Sequence, residues 1–203
     1  MFNIQPTEKA MSYLVRHAKG QAPSDELWQY QIHRATKRAT QIEEFIGTRY
    51  EVNSMMDIGC GLGLIDVMLS KYLTLERIHL VDGDGTNPIQ HDYQEHMQPW
   101  NDVHVAAELV FLNTDVRQII THEPSPALRV DPLDLLVSFK SWGVHYPIGV
   151  YLNLARDCVK PGGLLIIDIR DERGEGDKNR QIEQVGFKYM KHLDKRVRAF
   201  VRL

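Results

Sequence analysis

The chain has 203 residues, of which 43% are hydrophobic and 25% charged, with a formal net charge of −3. This length supports one domain with a full core and leaves little for a second. The weak negative charge gives no general attraction to nucleic acid or to an anionic membrane, and no apolar run reaches the length of a membrane span. The first residues lack the pattern of a signal peptide, and the two cysteines, Cys60 and Cys158, are not expected to form a disulfide. We therefore expect a cytoplasmic protein.

The N-terminal quarter predicts a long amphipathic helix. Ser24 is a typical N-cap followed by two acidic residues, and Gly47 is a typical terminator. The apolar residues between them recur at steps of four and three, which predicts one buried stripe: Trp28, Ile32, Ala35, Ala39, Ile42 and Ile46. We interpret residues 1–50 as a helical extension that either packs against the sheet or acts as a lid over the site. Residues 51–203 form the main domain.

Downstream, strands alternate with helices, which indicates an α/β fold with a doubly wound, mostly parallel, seven-stranded sheet. The first five strands are predicted at 55–58, 77–81, 116–121, 134–139 and 164–169. A C-terminal antiparallel hairpin of 187–193 and 198–203 completes the sheet. Helices are predicted after the first strand, from Pro88, and over 148–159. Residues 101–115 allow two interpretations: a helix running to Val110, which we prefer, or a strand at 109–112.

A glycine-rich turn follows the first predicted strand. Gly59, Gly61 and Gly63 remove three Cβ atoms from one bend, so that the backbone can turn sharply and lie against a ligand. Asp57 precedes the turn by two residues. The dinucleotide fingerprint places its third glycine one position later, where Leu64 stands.

Asp82 ends the second predicted strand, 25 positions after Asp57. A carboxylate there can accept hydrogen bonds from both hydroxyls of a ribose, in a nicotinamide dinucleotide and in S-adenosylmethionine alike. The alternative is a simple turn residue in the Asp82-Gly83-Asp84-Gly85 run. This run lacks the further oxygen ligands of a calcium loop.

The spacing of the glycines after Asp57 resembles the cofactor loop of class I S-adenosylmethionine-dependent methyltransferases. The fourth strand and the segment Val159-Lys160-Pro161-Gly162-Gly163 before the fifth strand are similar to the same family, over roughly residues 54–203. The resemblance implies a Rossmann-like methyltransferase fold that binds S-adenosylmethionine. The cofactor would be held by Asp57, Gly59, Cys60, Gly61, Gly63, Asp82, Gly83 and Ser138. Asp57 would face its ammonium group, whereas a dinucleotide would place a pyrophosphate at the helix N-terminus. The residue that contacts adenine stays open between Asp115 and Glu123.

The segment 138–147, Ser-Phe-Lys-Ser-Trp-Gly-Val-His-Tyr-Pro, resembles a small subgroup assigned as sugar O-methyltransferases, which has an aromatic residue where Val144 stands. The resemblance implies methylation of a hydroxyl on a small molecule such as a sugar. We hypothesise His145 as the general base, because an acceptor hydroxyl needs a base near neutral pH. The other residues expected on the acceptor side are Lys140, Ser141, Trp142 and Tyr146, with the two large rings near the sulfonium. The alternative makes His145 a turn residue before a helix that starts at Tyr146-Pro147.

No metal site is predicted. His91 and His96 are five positions apart and do not share a helix face, while Asp168 and Asp171 can cap the next helix. The C-terminal hairpin is basic, which indicates either a solvated sheet edge or a phosphate-contacting surface. Nucleic acid is disfavoured as a substrate because the Asn/Asp-Pro-Pro-aromatic element of base methyltransferases is absent.

Two rival functions stay open. One is a methyltransferase of another acceptor, such as an amine or an RNA nucleotide, and the other is a cofactor-binding protein of the same fold without turnover. The sequence does not encode the oligomeric state in a readable way.

Overall fold

In a computed structural model of the protein, residues 3–17, 22–88, 99, 101–171 and 177–203 are described. Seven strands form one sheet in the order β3-β2-β1-β4-β6-β8-β7. The first five of these pair in parallel, and β8 pairs antiparallel with both β6 and β7. The strands are β1 (Ser54–Ile58), β2 (Arg77–Val81), β3 (Gln118–His122), β4 (Leu133–Ser138), β6 (Val159–Asp168), β7 (Phe187–His192) and β8 (Val197–Arg202); a further extended segment is β5 (Ser141–Tyr146). The predicted mostly parallel sheet with an antiparallel C-terminal hairpin is confirmed.

Six α-helices and one 3₁₀ turn are described around the sheet. The helices are α1 (Glu8–His17), α2 (Asp25–Ile46), α3 (Leu64–Leu69), α4 (Val103–Asn113), α5 (Leu152–Cys158) and α6 (Lys178–Gln184); the 3₁₀ turn is Ile148–Tyr151. The ambiguous segment 101–115 is helical, so the alternative strand at 109–112 is wrong. The Asp102 carboxylate caps α4 by accepting a hydrogen bond from the backbone N–H of His104 at 2.9 Å. The helix expected from Pro88, with His91 and His96, lies outside the described residues.

The start of β6 differs from the prediction. The strand begins at Val159 instead of Leu164, so the Lys-Pro-Gly-Gly segment is part of an extended run. The Asp134 side chain holds the beginning of this longer strand in place. Its carboxylate accepts hydrogen bonds from the backbone N–H groups of Asn53 and Ser54 and pairs with Lys160. One side chain therefore joins the beginnings of β1, β4 and β6.

Helix α2 covers one side of the domain and packs on α3. Its ends follow the sequence signals: the Ser24 hydroxyl accepts a hydrogen bond from the N–H of Leu27, and Gly47 ends the helix at φ +47°. The predicted stripe is buried apart from Ala35, which lines a cavity described below. Helix α2 is therefore both a packed element of the fold and a wall of that cavity. No described helix is both long and apolar enough to cross a membrane.

Candidate cofactor and acceptor site

The loop between β1 and α3 owes its shape to its glycines. Gly59, Gly61 and Gly63 have φ angles of +77°, +60° and +71°, in the left-handed region that disfavours residues with a Cβ. The N–H groups of Gly59 and Cys60 both donate to the carbonyl oxygen of Val81, at 2.7 and 3.3 Å. The loop is thereby held against the end of β2, which brings the two candidate acidic residues of the cofactor site together.

Asp82 is tied directly to this loop. Its Oδ2 accepts hydrogen bonds from the N–H of Gly61 at 2.9 Å and from the Asn101 side chain at 3.3 Å, and its Oδ1 accepts one from the N–H of Gly83. Burial raises the pKa of this carboxyl to about 6, against the lowering effect of those hydrogen bonds. Asp82 is therefore a positioned side chain of the site and not an isolated turn residue. Sequence reasoning missed Asn101.

Asp57 forms a buried carboxyl pair with Asp66, which sequence reasoning also missed. Asp57 lines the cavity, whereas Asp66 lies in the first turn of α3 and is fully buried. Burial and the neighbouring carboxylate raise the pKa of Asp57 well above its ordinary value, and burial raises that of Asp66 to about 7. Two carboxyl groups in contact are stable only when they share a proton. The available signal was an acidic residue on the otherwise apolar face of α3.

These residues open onto a cavity of about 490 Å³ at the carboxyl ends of β1, β2, β4 and β6. Nine of the predicted site residues line it: Asp57, Gly59, Cys60, Gly61, Asp82, Lys140, Ser141, His145 and Tyr146. The wall above them comes from α2, through Gln31, Arg34, Ala35 and Arg38. The structure thus brings most of the predicted cofactor and acceptor residues to one site.

Four other predicted residues do not line the cavity: Gly63, Gly83, Ser138 and Trp142. The Ser138 hydroxyl donates to the carbonyl oxygen of Ile58 at 2.7 Å and accepts from the N–H of Trp142, so it joins β1 to the start of β5. A Cβ at Gly63 would lie 2.9 Å from a methyl group of Val110, and one at Gly83 would lie 2.8 Å from the Pro99 carbonyl oxygen. The two glycines therefore permit close packing against Val110 and Pro99, outside the cavity.

Trp142 is the clearest departure from expectation. Its side chain is fully buried, its indole N–H donates to the carbonyl oxygen of Ile148 at 2.7 Å, and its ring meets the edge of Tyr151. The expected wall near a sulfonium is therefore wrong for Trp142, because the indole is used in the core. Tyr146 does line the cavity, and burial raises the pKa of its hydroxyl to about 12.

The segment with His145 is extended, not the beginning of a helix. Gly143 adopts φ +82°, and its carbonyl oxygen accepts a hydrogen bond from the N–H of Arg170 at 3.1 Å. His145 consequently lies on the cavity wall within β5 instead of in a turn. Lys140, just before β5, has φ +54°, which costs a residue with a Cβ about 1–2 kcal/mol. Strain of this kind concentrates at functional sites.

The remaining residues that the sequence analysis singled out are Asp115, Glu123, the cysteines and the basic hairpin. Asp115 and Glu123 are exposed and do not line it, whereas Pro124 does. Cys60 and Cys158 are buried free thiols. Part of the basic hairpin is used within the fold, since Arg198 pairs with Asp171 and Arg202 donates to the carbonyl oxygen of Gly186. No group of three or more potential metal ligands occurs within the described ranges.

Comparisons with known proteins support the fold. No protein-family model and no curated protein sequence matches the chain. Among solved structures, a TehB-like S-adenosylmethionine-dependent methyltransferase from Corynebacterium glutamicum is similar, with a TM-score of 0.53 and 17% identity over 81% of this chain and 86% of that one. Phosphoethanolamine N-methyltransferase 2 from Haemonchus contortus, in complex with S-adenosyl-L-methionine, has a TM-score of 0.51 and 17% identity over 75% of this chain and 37% of that one.

The same fold also occurs in a protein with another activity. The [4+2]-cyclase SpnF has a TM-score of 0.52 and 14% identity over 74% of this chain and 58% of its own. Likeness at these identities carries the architecture and not the reaction. The chain has the Rossmann-like fold of class I S-adenosylmethionine-dependent methyltransferases.

Proposed function

We propose that the protein is an S-adenosylmethionine-dependent methyltransferase that methylates a hydroxyl group of a small molecule, with sugars as one candidate class. The observation that carries the proposal is the arrangement of Asp57, the left-handed glycine loop and Asp82 on one cavity whose other wall contains His145. The same cavity thus offers groups for a nucleoside, for an amino-acid moiety and for a proton.

The residues present fit this cofactor. Oδ1 of Asp57 is buried and accepts no hydrogen bond from the described part of the chain, so an ammonium group would supply the missing donor. Asp82 would accept from the ribose hydroxyls. The Asp57–Asp66 pair favours this cofactor over a dinucleotide, because the negative charge that it keeps beside the start of α3 opposes a pyrophosphate there.

Each wall residue then has a definite task. S-adenosylmethionine, when bound, would supply a methyl group on a sulfonium, so that a C–O bond to the acceptor would replace the C–S bond, whose electron pair would remain on sulfur. His145 takes the proton of the acceptor hydroxyl and passes it to water. Helix α2 restricts access from above, as a lid would, and so excludes water from the reacting groups.

Two measurements test the proposal in sequence. Calorimetry with S-adenosylhomocysteine and, separately, with a nicotinamide dinucleotide should show binding of the first alone. Binding of the dinucleotide instead would refute the assignment of the cofactor. Turnover of a panel of hydroxylated and amino acceptors, followed by formation of S-adenosylhomocysteine, should then be confined to hydroxyl compounds. Methylation of amines alone, or cofactor binding without any turnover, would refute the assignment of the reaction.

A further inference from the structure

The part of the cavity wall that lies outside the predicted cofactor residues is strongly basic. Five cationic side chains line the cavity within the described ranges: Arg34, Arg38, Lys140, Arg170 and Arg196. The three carboxyl groups that line it are Asp57, Asp82 and Asp168. Two of these three belong to the cofactor half: Asp57 lies within β1 and Asp82 directly follows β2. Only Asp168 accompanies the cations, which come from α2 and from the ends of β4 and β6 and the turn before β8.

Arg38 is the central residue of this wall. Its guanidinium lies 5.1 Å from the centre of the Phe139 ring, and its side chain is 23% exposed. Among the described residues, the nearest carboxylate oxygen is Oδ2 of Asp194, which lies 3.8 Å away and so beyond hydrogen-bond distance. Nη1 is buried and donates to no acceptor in the described part of the protein. Arg38 thus stacks on Phe139 and forms a long ion pair with Asp194, while its buried Nη1 has no acceptor among the described residues.

The charged groups around Arg38 are of both signs. Burial lowers the pKa of its guanidinium and Arg34 acts in the same sense, whereas Asp168 and Asp194 oppose them. Arg170 repeats the pattern, since its Nε is buried and donates to no described acceptor. Buried polar groups of native proteins normally have partners. Two guanidinium groups in one cavity therefore have a buried donor available to an anionic ligand.

The net charge of the cofactor also favours an anionic acceptor. The ammonium and carboxylate groups of S-adenosylmethionine cancel, and the sulfonium leaves a net charge of about +1 on the bound cofactor. A bound cofactor therefore adds to the positive potential of the cavity instead of neutralising it. A neutral or cationic acceptor would leave that potential uncompensated.

We propose that this basic wall, formed by Arg34, Arg38, Lys140, Arg170 and Arg196, binds an oxyanion carried by the methyl acceptor. The acceptor is thus a hydroxylated carboxylate or phosphate. The planar guanidinium groups of Arg38 and Arg170 match the geometry of both anions. This inference rests on the proposed function, because it names the substrate class for the same cavity.

The first experiment measures anion binding without any knowledge of the acceptor. Thermal unfolding is followed while inorganic phosphate or acetate replaces chloride at constant ionic strength, with and without S-adenosylhomocysteine. The wild type should gain stability with either anion, and the double variant Arg38→Met/Arg170→Met should lose that gain. Arg117→Met, which removes an 81% exposed arginine outside the cavity, should behave as wild type. Arg38→Lys, which keeps the charge, should retain part of the effect.

The second experiment compares matched acceptors under saturating S-adenosylmethionine: a hydroxylated acid against its amide, and a sugar phosphate against its sugar. The anionic member should have a kcat/KM at least about tenfold higher, and Arg38→Met should abolish this preference through KM. Calorimetry should give a Kd for S-adenosylhomocysteine within about twofold of wild type in the same variant.

Three results would overturn the inference. One is equal stabilisation of the wild type and the double variant by the anions. Another is equal turnover of charged and neutral partners. The third is loss of S-adenosylhomocysteine binding in Arg38→Met, which would assign the guanidinium to the carboxylate of the cofactor. Absence of S-adenosylhomocysteine binding in the wild type would instead defeat the proposed function, and the anion titration without cofactor would still test the basic wall.

Discussion

The carboxyl groups of Asp57 and Asp66 are buried electrostatic neighbours, one at the cavity wall and the other in the first turn of α3. Because the pair holds a proton, Asp57 meets a cationic ligand most favourably only after that proton has left. Binding of the cofactor is therefore linked to proton release.

This linkage predicts a pH-dependent affinity. Burial and the neighbouring carboxyl group raise the pKa of Asp57, so the pair stays protonated at low pH and the affinity for S-adenosylhomocysteine should rise with pH. Asp66→Asn supplies a hydrogen-bond donor in place of the second acid, so it should lower the pKa of Asp57 and flatten this dependence. Calorimetry in buffers of different ionisation enthalpy measures the protons released, and an unchanged pH profile in Asp66→Asn would contradict the shared proton.

The same pair predicts how stability varies with pH. The folded protein binds more protons at Asp66 than the unfolded chain does, since its pKa is raised from 3.8 to about 7. The resulting stabilisation is fully present below about pH 4 and is lost as the pH rises to about 7. Denaturant unfolding of the ligand-free protein across this range should show the loss in the wild type and less of it in Asp66→Asn.

Asp82 should control cofactor affinity more than turnover. Asp82→Asn removes a charged acceptor from the expected ribose contacts, and charge-assisted hydrogen bonds contribute about 1.5–3 kcal/mol. We expect the Kd for S-adenosylhomocysteine to rise about 10–100-fold. Asp84→Asn is the matched control, because Asp84 is exposed in the same turn and bonds only to Thr86 within the described part of the chain. Equal effects of the two variants would show that Asp82 has no special role.

His145→Ala should lower kcat by about 10²–10⁴, the range that general-base catalysis supplies. The Kd for S-adenosylhomocysteine should stay within about twofold, because the imidazole is assigned to the acceptor and not to the cofactor. His33→Ala, at an exposed position of α2, serves as control. Full turnover of His145→Ala would remove the base role.

Gly59→Ala should destabilise the protein. A Cβ at position 59 would lie 2.1 Å from the Ser141 hydroxyl oxygen, and φ of +77° is unfavourable for alanine. The conformational strain is about 1–2 kcal/mol and the overpacking adds about 1–3 kcal/mol to the loss in free energy of unfolding. Ser141→Gly should recover the steric part in the double variant. Gly149→Ala, where no described atom lies within 4 Å of the added Cβ, should be tolerated.

Several features were predictable because they depend on a few neighbouring residues. The caps of α2 follow from Ser24 and Gly47, and the bend after β1 follows from three glycines whose left-handed φ angles other residues avoid. Alternating apolar strands and amphipathic helices specify a doubly wound sheet, and the ends of its strands place Asp57 and Asp82 at one edge. The sequence by itself therefore determined the fold class and the placement of Asp57, the glycine loop and Asp82 at one edge of the sheet.

The other half depended on contacts between residues far apart in the chain. Trp142 and His145 are three positions apart, yet Trp142 is buried in the core and His145 lines the cavity. The indole N–H of Trp142 donates a hydrogen bond to the carbonyl oxygen of Ile148, which holds the ring in the core. Arg38 and Arg170, which are 132 positions apart, line the same cavity only because α2 packs above the sheet. The helix and strand preferences of neighbouring residues do not indicate which distant residues come together. Burial, charge pairing and hydrogen-bond partners depend on how the whole chain packs. Tertiary structure alone decided which of these side chains line the cavity, because that depends on how distant parts of the chain pack together.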